Sequence, residues 1–335
     1  MSKECKYYWI GAILLFVGLF LNLSFGSVRL SFEQVYQALF ISDDKYAIIV
    51  KDIRLVRFIT AIFSGAALGV AGLQMQTLFR NPLAGPFVLG ISTGASLGVA
   101  VYLLGGTIIG LGTMAYGSTG MIISSNIGAL IVMGIILASS KRINDNISLL
   151  IIGLMLGSIT GALVGFLQFT SSAESLQNYI IWTLGSLSGL NWNQLTVFVS
   201  LLSVGLIGSF ALKKGLPMML MGDDYAKSMG LSVRRYKIWL IICCCLLAGT
   251  VTSFCGPIAF IGIAIPHFVR FLTGVSSPGK LLPLVLLYGG ALLCWFDWIA
   301  ALPGSTETIP INIITSLFGA PMIILLILKR RRVHG

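Results

Sequence analysis

One long stretch of the apolar chain, residues 213–237 (KKGLPMMLMGDDYAKSMGLSVRRYK), carries side chains that could do chemistry. It carries six basic and two acidic residues within a largely apolar chain. Each charge at a bilayer centre costs about 2.5–3.5 kcal/mol, so this stretch is predicted to lie in water between two membrane spans. Asp223 and Asp224 begin a run of helix-forming residues and Gly230 ends it, which predicts a short surface helix over Gly222–Leu231. A short charged helix outside the bilayer is suited to contact another protein.

The other side chains that could act in catalysis or metal binding do not have the spacing of a catalytic or metal site. His267 has no second metal-ligand candidate nearby, and four of the six cysteines fall in one apolar stretch without metal-ligand spacing. Residues 274–281 imitate a phosphate-binding loop, but Leu281 stands where such a loop needs serine or threonine. We therefore predict no catalytic residue, no metal site and no cofactor bound by this chain.

The amino-acid composition indicates the class of protein. Of the 335 residues, 56% are hydrophobic and 10% are charged, with a mean hydropathy of +0.95, which is typical of a polytopic membrane protein. Apolar runs long enough to span a bilayer lie near residues 8–25, 59–78, 88–104, 121–138, 148–169, 195–212, 238–254, 259–272, 281–300 and 311–328. The sequence predicts an all-α protein of about ten transmembrane helices, forming a single domain over residues 1–335.

The net charge of +11 is explained by membrane topology. With the N-terminus in the cytoplasm, 17 of the 22 Lys and Arg residues fall on cytoplasmic segments, as the positive-inside rule requires. We therefore predict that both termini are cytoplasmic, that the first helix is not cleaved, and that the basic residues do not bind nucleic acid.

The five remaining basic residues cluster in one predicted external segment between the first two spans. Among them, Arg54 and Arg57 stand three residues apart just before a helix, so both should project from one side of its mouth. They are either interfacial bases that reach towards the membrane surface or a docking site for carboxylates of an external partner. The spacing alone does not separate these two hypotheses.

Glycine marks the fifth span and two breaks in the chain. Gly153, Gly157, Gly161 and Gly165 recur every four residues, a pattern that predicts tight helix packing and suggests a permeation pathway beside this span. Residues 85–90 (GPFVLG) and 256–262 (GPIAFIG) begin helices on opposite predicted faces of the membrane. Such a pair predicts an inverted repeat, in which the second to fifth spans match the seventh to tenth.

Several motifs, in the same order along the chain, resemble the FecCD family of ABC-importer permeases. They are Arg54-Leu-Val-Arg57, Ser64-Gly-Ala-Ala-Leu-Gly69, Gly72-Leu-Gln-Met-Gln76, Arg80-Asn-Pro-Leu-Ala84, Leu89-Gly-Ile-Ser-Thr-Gly-Ala95, Gly222-Asp-Asp-Tyr-Ala226 with Gly230, the segment from Gly256-Pro257 to Pro266-His267, and Gly319-Ala-Pro321. The resemblance covers nearly the whole chain. It implies the type II ABC importer permease fold in the cytoplasmic (inner) membrane of a bacterium.

The resemblance also implies partners. These are a second permease copy, two cytoplasmic ATPase subunits that bind ATP and magnesium, and a periplasmic or lipid-anchored binding protein. The family's coupling segment would be residues 213–237, with Gly222, Asp223, Asp224, Ala226, Met229, Gly230 and Leu231 docking on the ATPase. By the same resemblance, Arg54 and Arg57 would receive the binding protein, and Asn81, Leu83 and Asn146 would narrow the cytoplasmic exit. Ala301 stands where some relatives carry a further docking arginine, which places that contact in doubt.

The expected function is ATP-driven import of a metal chelate, first a ferric siderophore and then haem or cobalamin. The alternative is an ion-coupled secondary transporter or channel that works without an ATPase, in which residues 213–237 only connect two spans.

Asp297 is the only acidic residue in a predicted span, so it is a functional candidate by default. Its position near the outer end of the span also allows an ordinary structural hydrogen bond. A membrane enzyme lacks any suitable set of acid, base or metal ligands.

Overall fold

The computed structural model describes residues 3–26, 28–41, 45–105, 117–143, 145–301 and 308–331. Within these ranges the chain forms helices and no strand. The α-helices are α1 (Lys3–Ser24), α2 (Phe32–Phe40), α3 (Val56–Leu78), α4 (Ile91–Leu104), α5 (Ser118–Arg142), α6 (Asn146–Thr170), α7 (Ala173–Thr183), α8 (Trp192–Ala211), α9 (Leu216–Met221), α10 (Asp223–Ser228), α11 (Val233–Cys255), α12 (Ile261–Thr273), α13 (Pro278–Ala300) and α14 (Ile311–Arg331). A π-helix, Ile48–Leu55, leads directly into α3, and a 3-10 helix, Pro86–Leu89, precedes α4.

Ten apolar helices occupy the positions of the ten predicted spans. Seven of those described are long and apolar enough to cross a membrane: Cys5–Ser24, Ile48–Leu78, Ser118–Arg142, Asn146–Thr170, Trp192–Ala211, Val233–Cys255 and Pro278–Ala300. Three shorter apolar helices are Ile91–Leu104, Ile261–Thr273 and Ile311–Leu325. The predicted fold class is therefore confirmed. The largest difference is in the second span, which begins at Ile48 because the segment before α3 continues as helix rather than as loop.

α3 lies at the centre of the bundle. Every residue of Ser64–Leu78 is buried, and α3 packs against α8, α11, α12 and α13. A Cβ added at Gly65 would lie 2.1 Å from the carbonyl oxygen of Gly289 in α13, and one added at Gly72 would lie 1.7 Å from that of Gly262 in α12. Only glycine permits backbones to approach this closely, so these positions determine how the central helices cross.

Two halves of the bundle repeat one arrangement. In each half a 23-residue helix, α3 or α11, is followed by a break and then by a shorter helix, α4 or α12. α4 packs on α5 and α6, as α12 packs on α13 and α14. The two central helices run antiparallel, because the Ser64 hydroxyl near the start of α3 lies 3.7 Å from the Cys255 sulfur at the end of α11. The arrangement agrees with the inverted repeat predicted from the two Gly-Pro breaks.

The glycine seam of α6 packs closely at one end only. A Cβ at Gly153 would lie 2.5 Å from the carbonyl oxygen of Val88, whereas one at Gly157 would make only ordinary contacts. A Cβ at Gly161 or at Gly165 would meet no other described atom within 4 Å. Within the described chain, the predicted tight packing is therefore present at Gly153 but not at Gly161 or Gly165, because the glycine face of the second half of α6 points away from the bundle.

Candidate functional site at the two ends of the bundle

Residues 216–231 form two short helices that meet at Gly222. α9 ends and α10 begins there because Gly222 takes a φ of 125°, which a residue with a Cβ rarely adopts. Gly230, with a φ of 83°, ends the second helix, and Leu231 donates its N–H to the carbonyl of Ala226 at 2.9 Å. The predicted surface helix is present, with Gly222 just before its first residue.

α10 has one side against the bundle and one side open. Ala226 is buried, whereas Asp224 is 98% exposed. Tyr225, Met229 and, from the end of α9, Met221 are also exposed. We call Met221, Asp224, Tyr225 and Met229 the outward face of α10. A charge beside exposed methionine and aromatic side chains is a surface suited to contact another protein.

Asp223 is turned towards the bundle, unlike Asp224. Its carboxylate pairs with Arg80, which follows α3, and with the ammonium of Lys237 in the first turns of α11, at 2.5 Å. Arg80 also donates from Nε to the carbonyl of Met219 in α9, at 3.1 Å. Of the two acids assigned to coupling, Asp223 therefore holds α10 against the bundle and Asp224 is open to a partner.

The end of the bundle at which Asp223 lies is called here the Asp223 end. It also holds the three residues that the family resemblance assigns to the cytoplasmic exit, Asn81, Leu83 and Asn146. The Asn81 side-chain oxygen accepts the backbone N–H of Leu83 at 2.9 Å, forming a turn after α3, and Leu83 is exposed. Asn146, the first residue of α6, donates from Nδ2 to the carbonyl of Leu78, the last residue of α3, at 2.7 Å. The structure thus joins the start of α6 to the end of α3.

Asp145 caps the helix that Asn146 begins. Its carboxylate accepts the backbone N–H groups of Ser148, at 2.8 Å, and Ile147, at 3.3 Å, and also the Ser148 hydroxyl, at 2.9 Å. These hydrogen bonds, that of the Ser148 backbone first, favour the ionised form and lower the pKa of Asp145 below its ordinary value of 3.8. The cap stabilises the end of α6 at which Asn146 stands.

At the opposite end of α3, which we call the Arg57 end, Arg54 is buried. It donates from Nη1 to the carbonyl of Leu23 at 2.6 Å and from Nη2 to the carbonyl of Val28. The expectation that Arg54 projects from the mouth of the helix is therefore wrong. The physical reason is that the Leu23 carbonyl in the last turn of α1 and the Val28 carbonyl in the segment after α1 lie within reach, and the Arg54 guanidinium donates to both.

Arg57 forms an ion pair with Asp297 of α13. Nε lies 2.8 Å from Oδ2 and Nη2 lies 2.8 Å from Oδ1, so the contact is bidentate. The Asp297 side chain is 1% exposed and that of Arg57 is 17% exposed. Of the two hypotheses for Asp297, the structural one therefore accounts for it. Sequence reasoning missed the pair, although the rule that an intramembrane acid needs a cationic partner could have suggested it.

A cleft of about 350 Å³ opens beside Arg57. Asp52, Arg57 and residues 188–192 line it, and the indole N–H of Trp192 donates to the carboxylate of Asp52 at 2.8 Å. Arg57 therefore stands between its buried partner Asp297 and a surface cleft, whereas Arg54 is turned away from solvent.

These features describe a bundle of apolar helices with a short, partly exposed helix at one end, and comparison with known proteins identifies its class. A model of the FecCD transport family matches residues 14–329, so the chain belongs to that family. It is 33% identical to the hemin transport system permease protein HmuU of Yersinia pestis, across 91% of this chain and 90% of that protein. It is 34% identical to the vitamin B12 import system permease protein BtuC of Klebsiella pneumoniae subsp. pneumoniae, across 83% and 82%.

A solved structure described as an inward-facing conformation of a metal-chelate type ABC transporter has the same fold. The TM-score is 0.84 with 26% identity, and the match covers 97% of this chain and 99% of the other. The resemblance based on motifs is thus confirmed, and the chain is a transport permease of an ABC importer.

Proposed function

We propose that this permease carries a metal chelate across the cytoplasmic membrane of a bacterium, driven by ATP hydrolysis in a partner subunit. The observation that carries the proposal is the outward face of α10, a set of exposed acidic, aromatic and methionine side chains at one end of a membrane bundle of the FecCD family. A ferric siderophore is the first candidate substrate, followed by haem and cobalamin. The named relatives for hemin and vitamin B12 support the class of substrate.

Two ATP-binding subunits dock on α10 from the cytoplasm, so the Asp223 end faces the cytoplasm and both termini lie on that side. The exposed Asp224, Tyr225 and Met229 supply the contact surface, and Gly222 and Gly230 set where the helix begins and ends. ATP and magnesium are bound by these partners, and this chain binds no cofactor of its own. The predominance of basic residues on the predicted cytoplasmic segments supports the orientation.

A second copy of the permease completes the pathway. Gly161 and Gly165 lie on the second half of α6, which has no neighbour within the described chain at these positions. An exposed face of small and apolar residues suits both a neighbouring helix of the partner copy and a bulky, weakly charged substrate. The two copies alternate between outward and inward openings when the ATPases move α10.

An external binding protein, periplasmic or lipid-anchored, delivers the substrate at the Arg57 end. Because Arg54 is buried against backbone carbonyls, docking there falls to Arg57 and the cleft beside it. A carboxylate of the binding protein would reach Arg57 through this cleft and share it with Asp297.

The proposal is tested by reconstitution. The permease, its co-expressed ATPase and its external binding protein are placed in lipid vesicles, and uptake of ferrichrome, haemin and cyanocobalamin is measured with and without ATP. Uptake of one probe that requires ATP is expected. Uptake that continues without ATP and collapses with an ion gradient would overturn the proposal in favour of the secondary transporter. The pairing of Asp297 with Arg57 argues against that alternative, because Asp297 is the only acidic residue in a predicted span.

A further inference from the structure

Four helix ends at the Asp223 end are joined by one closed ring of polar contacts. Asn146 Nδ2 donates to the carbonyl of Leu78 at 2.7 Å, and Asn146 Oδ1 accepts from Lys237 Nζ at 2.6 Å. Lys237 Nζ also contacts Asp223 Oδ2 at 2.5 Å, and Asp223 Oδ1 accepts from Arg80, two residues after Leu78. The ring therefore runs from α3 through α6, α11 and α10 and back to the chain that leaves α3.

Lys237 is the member that joins the docking helix to α6. Its side chain is only 10% exposed, and its ammonium bridges the Asp223 carboxylate and the Asn146 amide. A charge so nearly buried is costly to leave without its partner. Movement of Asp223 away from the bundle must therefore either draw Lys237 with it or break the ion pair between the two side chains.

Asn146 cannot follow such a movement without losing its second contact. Its amide uses the oxygen for Lys237 and the nitrogen for the Leu78 carbonyl, so both ends are engaged at once. A shift of Lys237 therefore disturbs the contact between the first residue of α6 and the last residue of α3. That contact lies next to the turn formed by Asn81 and Leu83.

We propose that Lys237 is a positioning residue that transmits movement of α10 to Asn146, and so links docking of the ATPase to the junction between α6 and α3. The inference rests on the proposed function of the chain as a permease driven by an ATPase. In this mechanism Lys237 contacts neither the ATPase nor the substrate, and it acts through its hydrogen bond to Asn146.

The test measures substrate transported per ATP hydrolysed in the reconstituted complex, with ferrichrome, haemin and cyanocobalamin as probes. Lys237→Met is expected to assemble with the ATPase and to hydrolyse ATP, while the transport ratio falls about tenfold, within the usual range of coupling between two sites. Lys237→Arg, which keeps a cation, is expected to retain most of the ratio. Lys141→Met, which removes an exposed lysine at the same end of the bundle, is the matched control and should not change it.

A double mutant tests whether Lys237 acts through Asn146. If it does, Lys237→Met combined with Asn146→Ala should be no worse than the poorer single variant. If the double variant instead loses the product of the two single fold-losses in transport ratio, or if the ratio is unchanged in Lys237→Met, the inference is overturned.

If Lys237→Met fails to fold, Asp223→Asn provides a second test, because it keeps the side-chain shape but removes the anion. It must show the same loss of coupling, and a normal ratio in that variant overturns the inference as well. Absence of ATP-dependent uptake in the wild type would instead overturn the proposed function itself.

Discussion

Arg57 and Asp297, 240 residues apart in the sequence, form a bidentate ion pair between the start of α3 and the end of α13. Asp297 is fully enclosed, and its partner keeps one side towards a surface cleft. One contact therefore ties α3 to α13 and places a cation at the wall of a surface cleft.

Removing one member of this pair should be more damaging than removing both. Asp297→Leu leaves the largely buried Arg57 guanidinium without the carboxylate that pairs with it, so a loss of about 3–5 kcal/mol in unfolding free energy is expected. The double variant Arg57→Met, Asp297→Leu should recover most of this loss because no unpaired charge remains. Denaturant unfolding in lipid nanodiscs measures both. Equal losses in the single and double variants would show that the loss does not come from an unpaired charge.

The same double variant separates stability from docking. If Arg57 receives the external binding protein, the double variant should fold and yet bind that protein about tenfold more weakly, the effect of losing a well-placed charged contact. Surface plasmon resonance against the binding protein is the measurement. Unchanged affinity would assign Arg57 a purely structural role.

The outward face of α10 should govern assembly with the ATPase. Met229→Glu places a charge on an exposed apolar position without touching the buried Ala226, so the helix should persist while affinity for the ATPase falls about tenfold or more. Co-purification and titration with the isolated ATPase measure the change. Lys141→Glu, which changes an exposed residue of α5 at the same end of the bundle, is the control. Full assembly of the Met229 variant would count against α10 as the docking element.

Glycines of similar sequence context should differ sharply in their tolerance of a methyl group. Gly65→Ala places a Cβ 2.1 Å from the Gly289 carbonyl oxygen, which forces α3 and α13 apart and should cost at least about 1–3 kcal/mol. Gly161→Ala meets nothing within 4 Å in this chain and should leave the folded monomer as stable as the wild type. Thermal unfolding in detergent compares the two. A stable Gly65 variant would contradict the close crossing of these helices.

The cap on α6 should depend on pH. Asp145 has a lowered pKa in the folded protein, so its contribution to stability is present above the ordinary value of 3.8 and is lost as pH falls through the lower folded value. Asp145→Ala should therefore lower the thermal midpoint at neutral pH, and this difference should shrink below pH 3.8. Asp145→Asn, which can still accept the backbone N–H groups, should show a smaller dependence on pH. A difference that stays constant with pH would exclude an ionic cap.

Local features of the sequence predict much of this architecture. Apolar runs long enough to span a bilayer predict the ten helices, because the backbone N–H and C=O groups of each run must form hydrogen bonds within that run when it lies in lipid. Gly222 and Gly230 likewise predict where α10 begins and ends, since backbone conformations with positive φ depend on the residue itself. Membership of the FecCD family also follows from motifs that can be recognised in order along the chain.

The direction in which individual charged side chains point was decided by the tertiary structure. Arg54 is buried because the carbonyls at the end of α1 come within its reach. Asp223 faces inward because Arg80, 143 residues earlier, and Lys237 lie beneath it, whereas Asp224 next to it points outward. Such partners are distant in sequence, and their attraction depends on distances of a few ångströms that only the folded chain establishes. The sequence by itself therefore determined the class of protein and its helices, and the tertiary structure decided which of its charges hold the bundle together and which remain available to partners.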